Sequence, residues 1–214
     1  MSGTLPLRVP LFPLAGAILF PRSQLPLHIF EPRYREMVRA ASEWGGHIGI
    51  IQPQVVETSG GGEPPLFPVG CVGEMVGLEE LEDGRFNIVL NGSNRFRLLH
   101  EVDLGTPFRN ADVDAGSFDD REPPPLAMLQ RAEVEREARR LGEALGLSVD
   151  WAAVSRLDDE MLVNAIAQVA PFDVSAKQAL LESETLAVRA DLLVQLMQFV
   201  RISRGGAELQ PTLQ

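Results

Sequence analysis

The chain has 214 residues, 45% of them hydrophobic and 23% charged. That length holds one large domain or two small ones, each with a core of its own. The formal net charge of −11 is spread along the chain: residues 1–118 carry nine Arg against fourteen acidic residues, and 119–214 carry ten basic against sixteen. A diffuse negative field of this kind disfavours nucleic acid and anionic membrane as generic partners.

Residues 5–118 read mostly as strands. The start, Leu5-Pro-Leu-Arg-Val-Pro-Leu-Phe-Pro-Leu14, then Ile18-Leu-Phe-Pro21 and Leu25-Pro-Leu-His-Ile-Phe30, is a set of short apolar runs stopped by prolines. Pro32 suits a first helical turn, where its missing N–H has no partner to lose. Beyond it Tyr34, Met37, Val38 and Ala41 recur at i, i+3, i+4, i+7, which predicts a helix at about 32–44 with one buried face. Glu31–Arg35 and Glu36–Arg39 are spaced to pair along it. Gly45-Gly46 stops this helix, and His47-Ile-Gly-Ile-Ile51 follows as a buried strand. Thr58-Ser-Gly-Gly-Gly-Glu-Pro-Pro65 reads as a loop. Pro68–Leu81 resumes strand character, Asp83-Gly84 signals a hairpin into Phe86–Leu90, and Asn91-Gly92 signals a second one into Arg95–Leu99. In that last run Phe96 and Leu98 point one way, Arg95 and Arg97 the other. Phe108–Val113 offers one more strand.

A charged, proline-rich hinge at 119–125 divides the chain, and everything after it reads helical. Leu126, Leu129, Ala132, Leu141 and Leu145 predict a helix with Glu135–Arg139 paired on its surface. Asp158 caps a helix running to about Val169, Ser175 with Gln178 fits a capping box for a helix to Leu181, and Ser183 caps a last helix. That helix has Leu186, Leu193, Leu196 and Val200 as its core stripe and ends at Gly205-Gly206. The organisation is therefore 1–118 β-rich, 119–125 hinge, 126–206 helical bundle and 207–214 tail.

The wording of 5–40 resembles the N-terminal substrate-binding domain of the Lon protease family. It resembles still more the small stand-alone proteins made of that domain alone. Gly92-Ser-Asn-Arg-Phe-Arg97 and Lys177-Gln-Ala-Leu-Leu-Glu182 extend the similarity to about 5–204. Pro32-Arg33 stands where chains attached to a full protease usually have Gly-Arg, which points to the stand-alone branch. The resemblance implies an α+β fold: a curved, partly closed sheet (a PUA-like pseudo-barrel) with one helix, then a helical bundle.

The motifs of a protease engine are missing. Lon proteases use a Ser–Lys dyad, and the single lysine here, Lys177, lies in a helical run and reads as a helix-surface residue. No Gly-x-x-x-x-Gly-Lys-[Ser/Thr] phosphate loop is present. The lone Cys71 excludes an intramolecular disulfide or a cysteine zinc cage, and His28, His47 and His100 lack ligand spacing. No enzyme activity, cofactor or metal is expected. Prolines interrupt the N-terminus, and no run approaches the roughly 20 apolar residues that span a bilayer, so a soluble, cytoplasmic protein is expected.

What remains is surface. The expected substrate-binding residues are Leu25, Leu27, Phe30, Glu31, Arg33 and Arg35 at the strand-to-helix corner, with Arg95 and Arg97. They would form the rim of a groove for unfolded or partly unfolded protein segments or partner proteins, with an apolar cleft between sheet and bundle behind them. Phe30 is expected to anchor the corner. The rival readings are a small-molecule or nucleic-acid binder, the latter requiring Arg33, Arg35, Arg95 and Arg97 to converge, and an enzyme of unrecognised type. Oligomeric state is open.

Overall fold

The structure is a computed structural model that describes residues 7–54 and 63–207, with side chains to 203. Leu5 and Pro6, the glycine-rich loop over 58–62 and the tail over 208–214 lie outside the described residues. The chain forms two compact units, Met1–Arg121 and Glu122–Gln214.

Among the described residues, the first unit holds six strands and one helix. They are β1 (Leu7–Pro13), β2 (Gln24–Ile29), α1 (Pro32–Glu43), β3 (His47–Pro53), β4 (Leu66–Glu80), β5 (Phe86–Val102) and β6 (Asn110–Asp114). Strand order is β2-β5-β4-β3-β1-β6, and β6 also pairs with β5. That extra pairing closes β5, β4, β3, β1 and β6 into a ring and leaves β2 outside it. All pairings are antiparallel except β1 with β3.

The ring is filled with side chains: Val9, Leu11, Ile51, Leu66, Val72, Phe96, Ala111 and Val113 pack as one cluster. Gly70 is required here, because a Cβ on it would overlap the Phe96 ring. Helix α1 covers a second cluster, burying Tyr34, Met37, Val38 and Ala41 against Phe12, Ile29, Ile48, Ile50, Phe86, Ile88 and Leu90, so the predicted helical face is the buried one.

Of the two hairpin signals in this unit, one holds and one does not. Asp83-Gly84 does form the β4–β5 turn, with Gly84 at φ 75° and its N–H bonded to the Leu81 carbonyl at 2.8 Å. Asn91-Gly92, in contrast, is no turn, because β5 runs straight through it. A Cβ at Gly92 would overlap the Phe20 carbonyl oxygen. The glycine thus admits a neighbouring backbone instead of reversing the chain.

The second unit contains α2 (Met128–Ala144), α3 (Trp151–Val154), α4 (Asp159–Val169), α5 (Val174–Glu182) and α6 (Leu186–Ala207). Asp158 caps α4 as read, accepting from Met161 N at 2.7 Å. The cap of α5 is Asp173 (2.7 Å to Ala176 N), two residues before Ser175. Thr185 caps α6 (3.2 Å to Val188 N), while the Ser183 hydroxyl donates to the Ala179 carbonyl. Helix α6 continues through Gly205-Gly206 to Ala207.

Helix α2 buries Val134, Glu137, Ala138 and Leu141, while Leu129 is 85% exposed. Of the expected stripe only Leu141 is buried, while Ala132 is exposed like Leu129 and Leu126 and Leu145 are half-buried. Arg131, not Arg139, takes Glu135 (2.9 Å) and also Asp159 (2.6 Å). On α6, Leu186 and Leu193 are buried, together with Ala190, Val194 and Met197, while Leu196 and Val200 are only half-buried.

A candidate substrate-binding edge

Among the described residues strand β2 has one strand neighbour, β5, with Leu25 opposite Leu90, Leu27 opposite Ile88 and Ile29 opposite Phe86. Its side chains alternate. Ile29 is buried, and Leu25 and Leu27 are half-buried against the α1 cluster. The Gly92 N–H donates to the Ser23 carbonyl at 2.9 Å. Continuing that register, Leu25, Leu27 and Ile29 exchange hydrogen bonds with β5, and the backbone groups of Gln24, Pro26 and His28 point the other way. Pro26 therefore stands where its missing N–H would have faced outward, as edge prolines do.

The outer face of this edge is polar. The His28 Nδ1 lies 2.8 Å from Asn87 Oδ1, and Asn87 Nδ2 donates to Glu79 Oε2 at 2.9 Å, giving a row across β2, β5 and β4. Just past β2, Phe30 is 61% exposed. This overturns the expectation that it anchors the corner: the chain turns at Glu31-Pro32, so Ile29 and Tyr34 go inward and Phe30 goes out.

The charged residues of the corner hold one another. Arg33 bonds Glu31 at 3.1 Å and Glu63 at 3.3 Å, and Glu63 also lies 3.5 Å from Arg109. Arg109 completes the chain of charges by bonding Glu101. Glu31 thus pairs with Arg33 instead of Arg35, and Arg39 pairs with Glu80 at 2.9 Å instead of Glu36. Burial pushes the Tyr34 hydroxyl pKa up, with the Arg33 charge opposing. The Arg35 guanidinium lies against Gly84, where a Cβ would come 2.5 Å from Nη2.

Arg95 and Arg97 are elsewhere and tied differently. Arg95 is buried, bonded to Asp120 at 2.8 Å, and stacks on Phe118, which Arg97 also overlies. The four arginines therefore do not converge as free cations. Sequence reasoning placed Asp120 in a hinge and missed both it and Phe118 as partners, because the contact spans 25 positions. Buried in this pair, Arg95 offers no surface to a client.

Among the described residues, no group of three or more His, Cys, Asp or Glu could hold a metal ion, and no helix is long and apolar enough to cross a membrane. Lys177 is not on the surface. It is buried, its Nζ donates to the Gln168 carbonyl at 2.8 Å, and burial lowers its pKa.

Residues 8–198 match the ATP-dependent protease La (LON) substrate-binding domain. The chain belongs to that family. It is 25% identical over 197 residues to a Lon protease of Anaeromyxobacter dehalogenans (strain 2CP-C), covering 90% of this chain and 23% of the relative. It is 23% identical over 194 residues to the Lon protease of Escherichia coli (strain K12), covering 90% and 25%. The chain thus spans about a quarter of the curated relatives it matches. Among solved structures, a Lon N-terminal domain protein from Xanthomonas campestris aligns with TM-score 0.64 at 18% identity, covering 88% of this chain and 98% of that one. The N-terminal domain of Mycobacterium avium complex Lon protease aligns with TM-score 0.63 at 16% identity, covering 90% and 98%. These likenesses establish the fold: a ring of strands with a helix across it, and a helical second part.

Proposed function

We propose that this chain is a non-enzymatic module that holds exposed apolar segments of unfolded or partly unfolded proteins, in the service of protein quality control. Family membership supports the class, since the match is to the substrate-binding domain of the protease and not to its ATPase or protease parts. The observation that carries the site is the edge itself. Leu25 and Leu27 stand half-open on one strand, and Phe30 is exposed at its end. Glu31, Arg33 and Arg35 rim this edge, and Arg97 is a more distant contributor. Pro26 removes a donor from this edge, so contact runs through side-chain faces more than through an added strand.

The test is fluorescence anisotropy with a labelled, reduced and unfolded client against its native form. Tighter binding of the unfolded form that survives moderate salt supports the reading, because apolar burial drives it at about 25 cal/mol per Å² before ordering costs. Equal affinity for the two forms would sink it. A steep loss with salt would show that ionic contacts and not apolar burial hold the client, and would sink it as well. ATP hydrolysis, or client cleavage abolished by a point substitution in this chain, would overturn the non-enzymatic part.

A further inference from the structure

We propose that Arg35 takes up the C-terminal carboxylate of a client lying along the β2 edge. The inference rests on the reading of that edge as the binding site, and it names the group that the end of the edge recognises. The other arginines of the corner are already held: Arg33 by Glu31, Arg39 by Glu80 and Arg85 by Asp83. Arg35 is not. Among the described residues it has no hydrogen bond, ion pair or ring contact, and its Nε is buried without an acceptor. Glu36, next to it in sequence, and Glu82, in the turn it faces, are exposed and form no pair with it. A buried donor left unmade is costly, and a guanidinium is shaped to grip a carboxylate through two parallel N–H groups.

Its place suits a chain end. The guanidinium occupies the room that Gly84 leaves, since a Cβ there would come 2.5 Å from Nη2. Strand β2 ends at the same turn. Ile29 is opposite Phe86, just past Gly84, and His28 Nε2 lies 3.3 Å from Arg85 Nη1. The His28 and Phe30 rings stack with centroids 6.3 Å apart. An extended client that runs in the direction of β2, past Leu25 and Leu27 toward Phe30, brings its terminus to this turn. The recessed Nε favours a carboxylate at the end of a chain over one on a side chain, because no further backbone then has to pass the turn. A single recessed contact of this kind leaves the salt dependence of binding shallow.

The experiment is fluorescence anisotropy of the full chain with a labelled peptide of leucine, phenylalanine and serine. It is made with a free C-terminal carboxylate, with a C-terminal amide, and with the amide plus one internal aspartate. The acid is expected to bind about tenfold tighter than the amide. Arg35→Gln, with circular dichroism to check the fold, is expected to abolish that difference and leave the amide where it was, which isolates the one contact. Phe30→Ser is expected to weaken acid and amide alike. Equal binding of acid and amide by the natural chain overturns the proposal and leaves the apolar edge standing. A preference for the acid that survives Arg35→Gln overturns it as well, and so does an internal aspartate that restores the lost affinity through Arg35, which assigns the site to acidic side chains instead. Failure of every peptide to bind overturns the edge and the Arg35 site together.

Discussion

Arg95 and Asp120 form a buried ion pair in which both side chains are only 3% exposed. The Asp120 carboxylate receives the Arg95 Nε at 2.8 Å and the Arg95 backbone N–H at 2.6 Å, and the guanidinium stacks 4.4 Å from the centre of the Phe118 ring. The pair fastens the end of the first unit onto β5.

Breaking that pair from one side leaves a desolvated charge without its partner. Asp120→Ala is expected to cost about 3–5 kcal/mol, read as a shift of the urea midpoint. Arg95→Met combined with Asp120→Leu removes both charges and should recover much of the loss. A single-substitution cost under about 1 kcal/mol would show that water reaches the pair.

Phe30 and its neighbour Ile29 should separate binding from folding. Phe30→Ser is expected to leave stability within about 0.5 kcal/mol while weakening capture of an unfolded client. Ile29→Ala, in the core beneath, should cost about 2–5 kcal/mol. Thermal melts and client anisotropy on the same two variants check both halves. Loss of the fold in Phe30→Ser would return Phe30 to the anchoring role first expected of it.

Acid should act through Asp112. Arg8 bonds both carboxylate oxygens, at 2.7 and 2.9 Å, and holds the pKa below its ordinary 3.8 by hydrogen bonding, with burial opposing and the Arg8 and His100 charges assisting. A carboxyl depressed in the folded state adds stability that is present above its unfolded pKa and is lost as pH falls through the folded one. Arg8→Gln should therefore raise the Asp112 pKa in a carbon-detected NMR titration and flatten the fall of stability below about pH 4. An unmoved Asp112 titration would contradict this.

Local regularities were legible in the sequence and distant partners were not. The α1 stripe, the Asp83-Gly84 turn and the Asp158 cap each depend on residues within a few positions of one another, and all three stand as read. Gly92 carries the signature of a turn, yet its need for glycine comes from Phe20, which approaches it through the fold. The burial of Arg95 and of Lys177 is likewise set by groups outside their own turn or strand, Asp120 and the Gln168 carbonyl. At the candidate edge, Leu25 and Leu27, expected on an open rim, are half-buried against the α1 cluster. Phe30 continues the alternation of the strand outward, one residue after buried Ile29, so a period-two reading of 25–30 would have placed it on the surface.

Pro26 offers a test of how the edge is guarded. It occupies a position whose backbone N–H would face away from β5, opposite Val89, and a strand edge with a full row of donors is a template for pairing with other chains. Pro26→Val should leave the β2–β5 pairing intact, since no hydrogen bond to β5 passes through that nitrogen, and valine favours a strand. The expected result is an unchanged melting temperature, within about 0.5 kcal/mol of stability, together with concentration-dependent light scattering above that of the natural chain. If extended clients bind by adding a strand, the same substitution should tighten them by supplying the missing donor. If they bind through Leu25, Leu27 and Phe30, client affinity should stay where it was while self-association rises. A Pro26→Val protein that neither self-associates nor gains client affinity would show that something other than proline protects this edge.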